Sequence, residues 1–287
     1  MRIKTKDIDT LIGTATTIRN RVAEMCIARG GHIASSFSCV EILLALYHGG
    51  ILNVSPDAPD APGRDRFIMS KGQGETALYA VLCNRGFFPD EWIENHYRAG
   101  DCRLGGHPDK NIPGVEISTG SLGHGLGFAA GMALAAKLDG KKHRHFVLMG
   151  DAECTEGSVW EAAIFAAAHN LSNLIAIVDR NHIGSIDFTE NFSSLEPFAA
   201  KWEAFGFEVL SCDGHSFPEL LKAFDYAGKR AGDKPLVVIA DTVKGKGVSF
   251  IENQPIWHVK QLSDAEEIKQ ARAELSGCGC HRTGDRR

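Results

Sequence analysis

Two oxygen-bearing side chains stand where the chain leaves its core. In VLMGDAECTEG (147–157) an apolar run suited to a buried strand ends at Gly150, and Asp151, Glu153 and Glu156 follow at once. The next apolar run, LIAIVD (174–179), is followed closely by Asn181. If the two runs are neighbouring parallel strands, Asp151 and Asn181 share one sheet edge, a single βαβ unit apart. Both are hard oxygen ligands, and the turns around them supply carbonyls and amides. That set suits Mg²⁺, which takes few protein ligands and fills its octahedron with phosphate oxygens and water. The competing reading is a helix cap. Ser158-Val-Trp-Glu161 has the spacing of a capping box, so Glu161 needs no further role. Asp151 lies seven residues before Ser158, too early to cap that helix. On this segment alone, a cation site and a solvated acidic loop both stand.

Positioning such groups requires strands that end at one edge. Short apolar runs suited to buried parallel strands lie at 66–70, 145–149, 174–179, 207–211 and 235–240. Helical patterns separate them at about 73–85, 122–138, 158–169, 195–205 and 216–231. In the third of these patterns, 158–169, Trp160, Ile164 and Ala167 share a face expected to pack on the sheet. The N-terminal region reads as two helices, about 7–29 and 37–48, packed outside. The alternation predicts an α/β fold, a doubly wound, mostly parallel sheet with helices on both faces. Ligands of such sheets bind at the carboxyl ends of the strands, so the loops after Met149, Asp179, Ser211 and Ala240 carry the interest. The Pro-rich SPDAPDAPG (55–63) reads as a surface loop.

At 287 residues the chain is near the upper size for one core, and no linker divides it. We expect one α/β domain over 1–275 and a tail over 276–287. The formal charge of −5 argues against a general nucleic-acid binder. No apolar run approaches the roughly 20 residues that span a bilayer. MRIKTKDIDT has no apolar stretch behind its charges, so no secretory leader is read and the expected location is the cytoplasm. The eight cysteines then read as reduced thiols. Cys278-Gly-Cys280-His281 lacks the usual C-x-x-C spacing and reads as part of the Gly-rich basic tail. Gly125-Leu-Gly127-Phe-Ala-Ala130 fits a dinucleotide fingerprint, but it follows STGSLGH instead of an apolar strand. Close helix packing through small residues is the preferred reading.

The chain also resembles a known family. GDAECTEG…VDRNHIG resembles the thiamine-diphosphate fingerprint, G-D-x followed after 25 to 30 residues by Asn. Around it, GGHIASSFSCVEILLALY (30–47), DRFIMSKGQGETALYAVL (65–82), LGGHPDKNIPGVEISTGSLGHGLGFAAGMALAAKL (104–138) and TVKGKGVSF…WHV (242–259) are similar, in order, to the N-terminal half of transketolase. The likeness runs to about residue 270 and looks closest to split transketolases, whose halves are separate polypeptides.

The resemblance implies that Asp151, Asn181 and the Ile183 carbonyl hold Mg²⁺, with Ca²⁺ or Mn²⁺ as substitutes. It places the Ala152 amide and His258 at the diphosphate of thiamine diphosphate, with Gly150, Glu153 and Gln73 beside them. Gly120, Ser121 and Leu122 would lie against the aminopyrimidine. His32, His107 and His258 would face the sugar, where neutral imidazoles can move protons at hydroxyls. Glu156 and Glu161 would stand near a subunit interface. Three positions depart from the family. Gln73 replaces a usual histidine and cannot be protonated. Ala152 replaces the second glycine of G-D-G, where φ > 0 would be costly. His124 replaces a common glutamine. Together they point to a specialised substrate or weakened cofactor affinity.

The pyrimidine-binding half has no room in the residues after TVKGKGVSF. The expected enzyme is therefore a transferase active only with a separate C-terminal transketolase subunit, in an α2β2 heterotetramer. It would move a two-carbon ketol unit from a ketose phosphate to an aldose or aldehyde. Competing readings are another thiamine-diphosphate reaction, such as deoxyxylulose-phosphate synthesis or 2-oxo acid decarboxylation, and a non-catalytic binding role.

Overall fold

The computed structural model describes residues 5–101 and 103–277. Five strands, β1 (Arg66–Met69), β2 (His145–Gly150), β3 (Leu174–Arg180), β4 (Glu208–Asp213) and β5 (Leu236–Asp241), form one sheet in the order β1-β2-β3-β5-β4. Every pairing is parallel. The helices are α1 (Thr5–Arg29), α2 (Ile33–Phe37), α3 (Val40–Tyr47), α4 (Glu75–Arg85), α5 (Asp90–Glu94), α6 (Gly125–Leu138), α7 (Gly157–Ala168), α8 (Thr189–Phe192), α9 (Phe198–Ala204), α10 (Phe217–Lys229) and α11 (Ala265–Gly277). The second N-terminal helix, expected over 37–48, is thus two helices, starting at Ile33 and interrupted at Ser38 and Cys39. The tail expected from 276 includes the last two residues of α11, and Cys278, Cys280 and His281 lie outside the described residues.

Strand periodicity divides the core in two. Phe146, Leu148, Ile175, Ile177, Leu236 and Val238 point to one face and pack with α1, α3, α4 and α10. Val147, Met149, Ala176, Val178, Val237 and Ile239 point to the other and pack with α6, α7 and α9. The chain steps from β1 through β2 and β3 to β4 with α6, α7 and α9 on that second face. It then reverses to β5 through α10 on the first face. Right-handed crossovers require this change of face when the direction of travel reverses.

Two local expectations change. The capping box is absent: α7 starts at Gly157 with Glu156 as an N-cap that makes no side-chain bond. Ser158 already lies inside the helix, and its hydroxyl donates to the Gly123 carbonyl at 2.9 Å. The face of α7 that meets the sheet is also different. Val159, Ala162, Ala163 and Ala166 are buried, whereas Ile164 is 58% exposed. Small residues allow α7 to lie close to α6 and the strands, so the larger side chains turn outward. Gly125 shows the same close packing, since an added Cβ would strike Ser70. This is the packing reading of the Gly125–Ala130 run.

Candidate functional site

At the carboxyl edge of the sheet the tips of β1, β2 and β3 open into a cleft of about 300 Å³. Its floor is Gly150, Asp151 and Ala152 after β2, and Asn181, Ile183 and Gly184 after β3. Adjacent parallel strands put these turns side by side, with Gly150 opposite Asp179 in the register. The tip of β4 does not line the cleft. Its His215 instead bonds Glu41 at 3.0 Å and accepts from the Val243 amide at 2.8 Å.

Asp151 is buried, and its Oδ2 accepts from the His182 amide at 2.6 Å and from Arg180 Nη1 at 3.0 Å. Its Oδ1 accepts from the Ala152 amide at 2.7 Å. Burial pushes this carboxyl up, against the opposing charge of Arg180. Asn181 is also buried, with Oδ1 accepting from the Ile183 amide at 3.2 Å. The Ile183 carbonyl accepts from Lys244 Nζ at 3.1 Å. Among the described residues no group of three or more His, Cys, Asp or Glu side chains is arranged for a metal. The oxygens of Asp151, Asn181 and Ile183 are therefore the available set, and they fit a hard cation that keeps water or phosphate ligands.

Ala152 carries no strain. It opens a 3₁₀ turn, Ala152–Thr155, and is absent from the non-glycine residues with positive φ. The expected cost of losing a glycine does not arise, because the turn curls in the right-handed sense. Glu153 turns inward instead of into solvent. Its Oε1 accepts from Ser70 and from the Gly123 amide, and its Oε2 from the Gly150 amide. One buried carboxylate thereby ties the tips of β1 and β2 to the loop that carries Gly120 and Leu122. Burial pushes its pKa up against these donors.

Three histidines converge above this floor. The His32 ring lies 6.2 Å from His107 and 5.8 Å from His258, centroid to centroid. They come from the loop before α2, from the loop between α5 and α6, and from a 3₁₀ turn after β5. Burial, with the Lys244 charge next in weight, pulls His258 down to about 3, so its ring is neutral near pH 7. Its Nδ1 faces Lys244 Nζ at 2.8 Å; the ammonium donates there, which leaves the ring proton on Nε2. His32 Nδ1 is buried with no hydrogen-bond partner. Beside His107 the wall is backbone: a Cβ on Gly72 would come within 2.9 Å of the Gly120 amide and of His107, and Gly120 has φ +146°. Only glycine allows two chain segments this close, which leaves room for a flat group. An orphaned imidazole nitrogen, a glycine-walled slot and a hard oxygen set together fit a ring-bearing diphosphate with its cation.

Gln73 and Glu156 also line the cleft. Two expected residues do not. Ser121 is exposed and lines a separate depression with His124 and Phe128, and Glu161 is exposed on the outer side of α7. Sequence reading passed over Ser35, Lys71, Phe192 and Lys244, all of which line the cleft. Ser35 and Lys71 lie in the quoted histidine segments, but nothing in their type marks them out. Lys71 is buried and paired with Asp179, while burial and repulsion from Lys71 draw Lys244 down to about 8.

Comparison with known proteins agrees with this geometry. The family described as "Transketolase, thiamine diphosphate binding domain" matches residues 14–281. One of the two subunits of an apulose-4-phosphate transketolase from Actinobacillus succinogenes is 44% identical over 247 residues, covering 86% of this chain and 88% of that one. A 6-deoxy-6-sulfo-D-fructose transketolase subunit of Clostridium sp. is 42% identical, covering 85% and 88%. Human transketolase is 38% identical over 92% of this chain, but only 42% of its own length is matched. Among solved structures, transketolase from Campylobacter jejuni superposes with a TM-score of 0.85 at 30% identity, over 96% of this chain and 43% of that one. The chain thus spans about two fifths of full-length transketolases and nearly all of the separate subunits. It belongs to the transketolase family, as the thiamine-diphosphate-binding domain that opens those longer chains.

Proposed function

We propose that this chain is the diphosphate-binding subunit of a split transketolase, completed by a separate pyrimidine-binding subunit in an α2β2 heterotetramer in the cytoplasm. The observation that carries the reading is the convergence of His32, His107 and His258 over the strand tips of Asp151 and Asn181. Thiamine diphosphate, when bound, supplies the electron sink that cleavage of a ketose C2–C3 bond needs. Asp151, Asn181 and the Ile183 carbonyl would hold Mg²⁺ for its diphosphate. Lys244, buried in the same cleft, adds positive charge toward that anion. His258 is neutral near pH 7 and His32 has an unpartnered nitrogen, so both can accept a hydroxyl proton or return it. Gln73 can donate a hydrogen bond but cannot relay a proton.

The partner subunit would cover the face beside Glu156 and Glu161. Phe128 on α6 and Ile164 and Phe165 on α7 are exposed there, more apolar surface than a solvated helix pair needs. Relatives over 40% identical act, by their names, on apulose-4-phosphate and on 6-deoxy-6-sulfo-D-fructose. We assign the chain to a modified sugar of this kind, a two-carbon ketol unit passing to an aldose or aldehyde. The test is ketol transfer by the purified chain with and without a pyrimidine-binding subunit. Transfer requiring both supports the reading; transfer by the chain alone would overturn the split arrangement.

A further inference from the structure

We propose that Glu75 forms a subsite beside His32 that reads the distal hydroxyls of the sugar; the proposal rests on the transferase reading above. Glu75 opens α4 and is fully buried, yet neither carboxylate oxygen has a hydrogen-bond partner among the described residues. It lines a cavity of about 380 Å³ together with Arg29, His32, Tyr97, Gly106 and Gln261. That cavity shares His32 with the cofactor cleft, and Gly106 adjoins His107, so the two spaces meet at the candidate proton-handling residues.

The position of Glu75 at the start of α4 explains why a carboxylate is tolerated, since the helix dipole favours negative charge there. It does not explain two oxygens left without donors, an arrangement that costs free energy unless something else supplies them. The walls do not. Gln261 uses its oxygen on the Gly31 amide at 3.0 Å and its nitrogen on the Val259 carbonyl at 3.1 Å. Arg29 is exposed and forms no ion pair with Glu75 among the described residues. Its charge on the same cavity disfavours a cationic ligand. A neutral chain with vicinal hydroxyls meets both conditions, because two O–H groups can donate to the two carboxylate oxygens.

The test uses the assembled enzyme carrying Glu75→Ala or Glu75→Gln. Two readouts are taken: the ratio of kcat/KM for ribose over glycolaldehyde, which lacks distal hydroxyls, and calorimetric binding of ribitol, which has no carbonyl to react. Glu75→Ala should lower the ratio and weaken ribitol binding, each by about tenfold or more, the scale of losing hydrogen bonds to a charged group. Glu75→Gln, which keeps an acceptor oxygen, should lose less, and it decides the matter if the alanine variant does not fold. An unchanged ratio with unchanged or undetectable ribitol binding would overturn the subsite. A raised melting temperature alongside those unchanged values would identify a bare buried carboxylate. If no sugar is transferred by any form, the transferase reading fails, and ribitol binding alone then decides the subsite.

Discussion

Replacing Lys71 by methionine should destabilise the chain by about 3 kcal/mol, at the lower end of the range for breaking one side of a buried ion pair. Lys71 and Asp179 have side chains 1% and 0% exposed and are in direct contact. The ammonium also donates to the Ser35 carbonyl at 2.9 Å and to Ser38 Oγ at 3.3 Å. Burial by itself would raise Asp179; Lys71, Ser38 and Thr242 together hold it below its ordinary value. Methionine matches the lysine stem but leaves Asp179 charged and without its cation. Two donors remain, Ser38 Oγ at 2.6 Å and the Thr242 hydroxyl, which is why the low end of the range applies. In a chain of this size about 3 kcal/mol corresponds to a fall in melting temperature of roughly 6 °C. Urea unfolding of Lys71→Met, Asp179→Asn and the double variant separates the terms. The double variant should lose clearly less than the sum of the single ones, because asparagine removes the uncompensated charge and still accepts from both hydroxyls. A loss below about 1 kcal/mol for Lys71→Met, or simple additivity, would refute the account. Cofactor affinity should fall with stability, because Lys71 also anchors the Ser35 backbone in the cleft.

Asp151→Ala should abolish Mg²⁺-dependent cofactor binding in the assembled enzyme, read by calorimetry; unchanged affinity would sink the cation assignment. His258→Ala should weaken cofactor binding and turnover together, and a variant indistinguishable from the parent in both would displace His258 from the site. The chain should lose stability in mild acid. Burial, aided by Arg29 and by His143 respectively, draws His96 and His145 down to about 4, and neither ring has a hydrogen-bond partner. Between about pH 6.5 and 4 the unfolded chain therefore binds more protons than the folded one. Stability falls as pH drops through that window, by up to about 1.4 kcal/mol per pH unit for each histidine. Urea midpoints near neutrality and about two pH units lower check the slope, and His145→Gln should flatten it; equal midpoints for the parent at the two values would contradict it.

The corrections share a physical origin. The Ser158–Glu161 spacing fits a capping box, but a cap depends on where the helix begins, and Gly157 begins it one residue earlier. Trp160, Ile164 and Ala167 lie at helical spacing, yet spacing defines a face without saying what covers it. The sheet takes the small face of α7 because closeness to α6 and β2 favours alanines. Glu153 reads as one more strand-tip acid until the fold brings Ser70, Gly123 and Gly150 to it.

The amino-acid sequence alone determined the strands, their alternation with helices, and the acid and amide standing past two neighbouring strand ends. These follow from local periodicity and from the rule that parallel strands present their carboxyl ends at one edge. The family motifs added the three histidines. Tertiary structure alone decided which groups share a space. Lys71 and Asp179 are distant in sequence and each reads as an ordinary charge, yet burial makes them one interaction. Glu75 reads as a helix-starting acid, and only the surrounding cavity shows that its oxygens lack donors. Burial and pairing depend on contacts between distant segments, and those exist only once the sheet has set every strand tip against its neighbours.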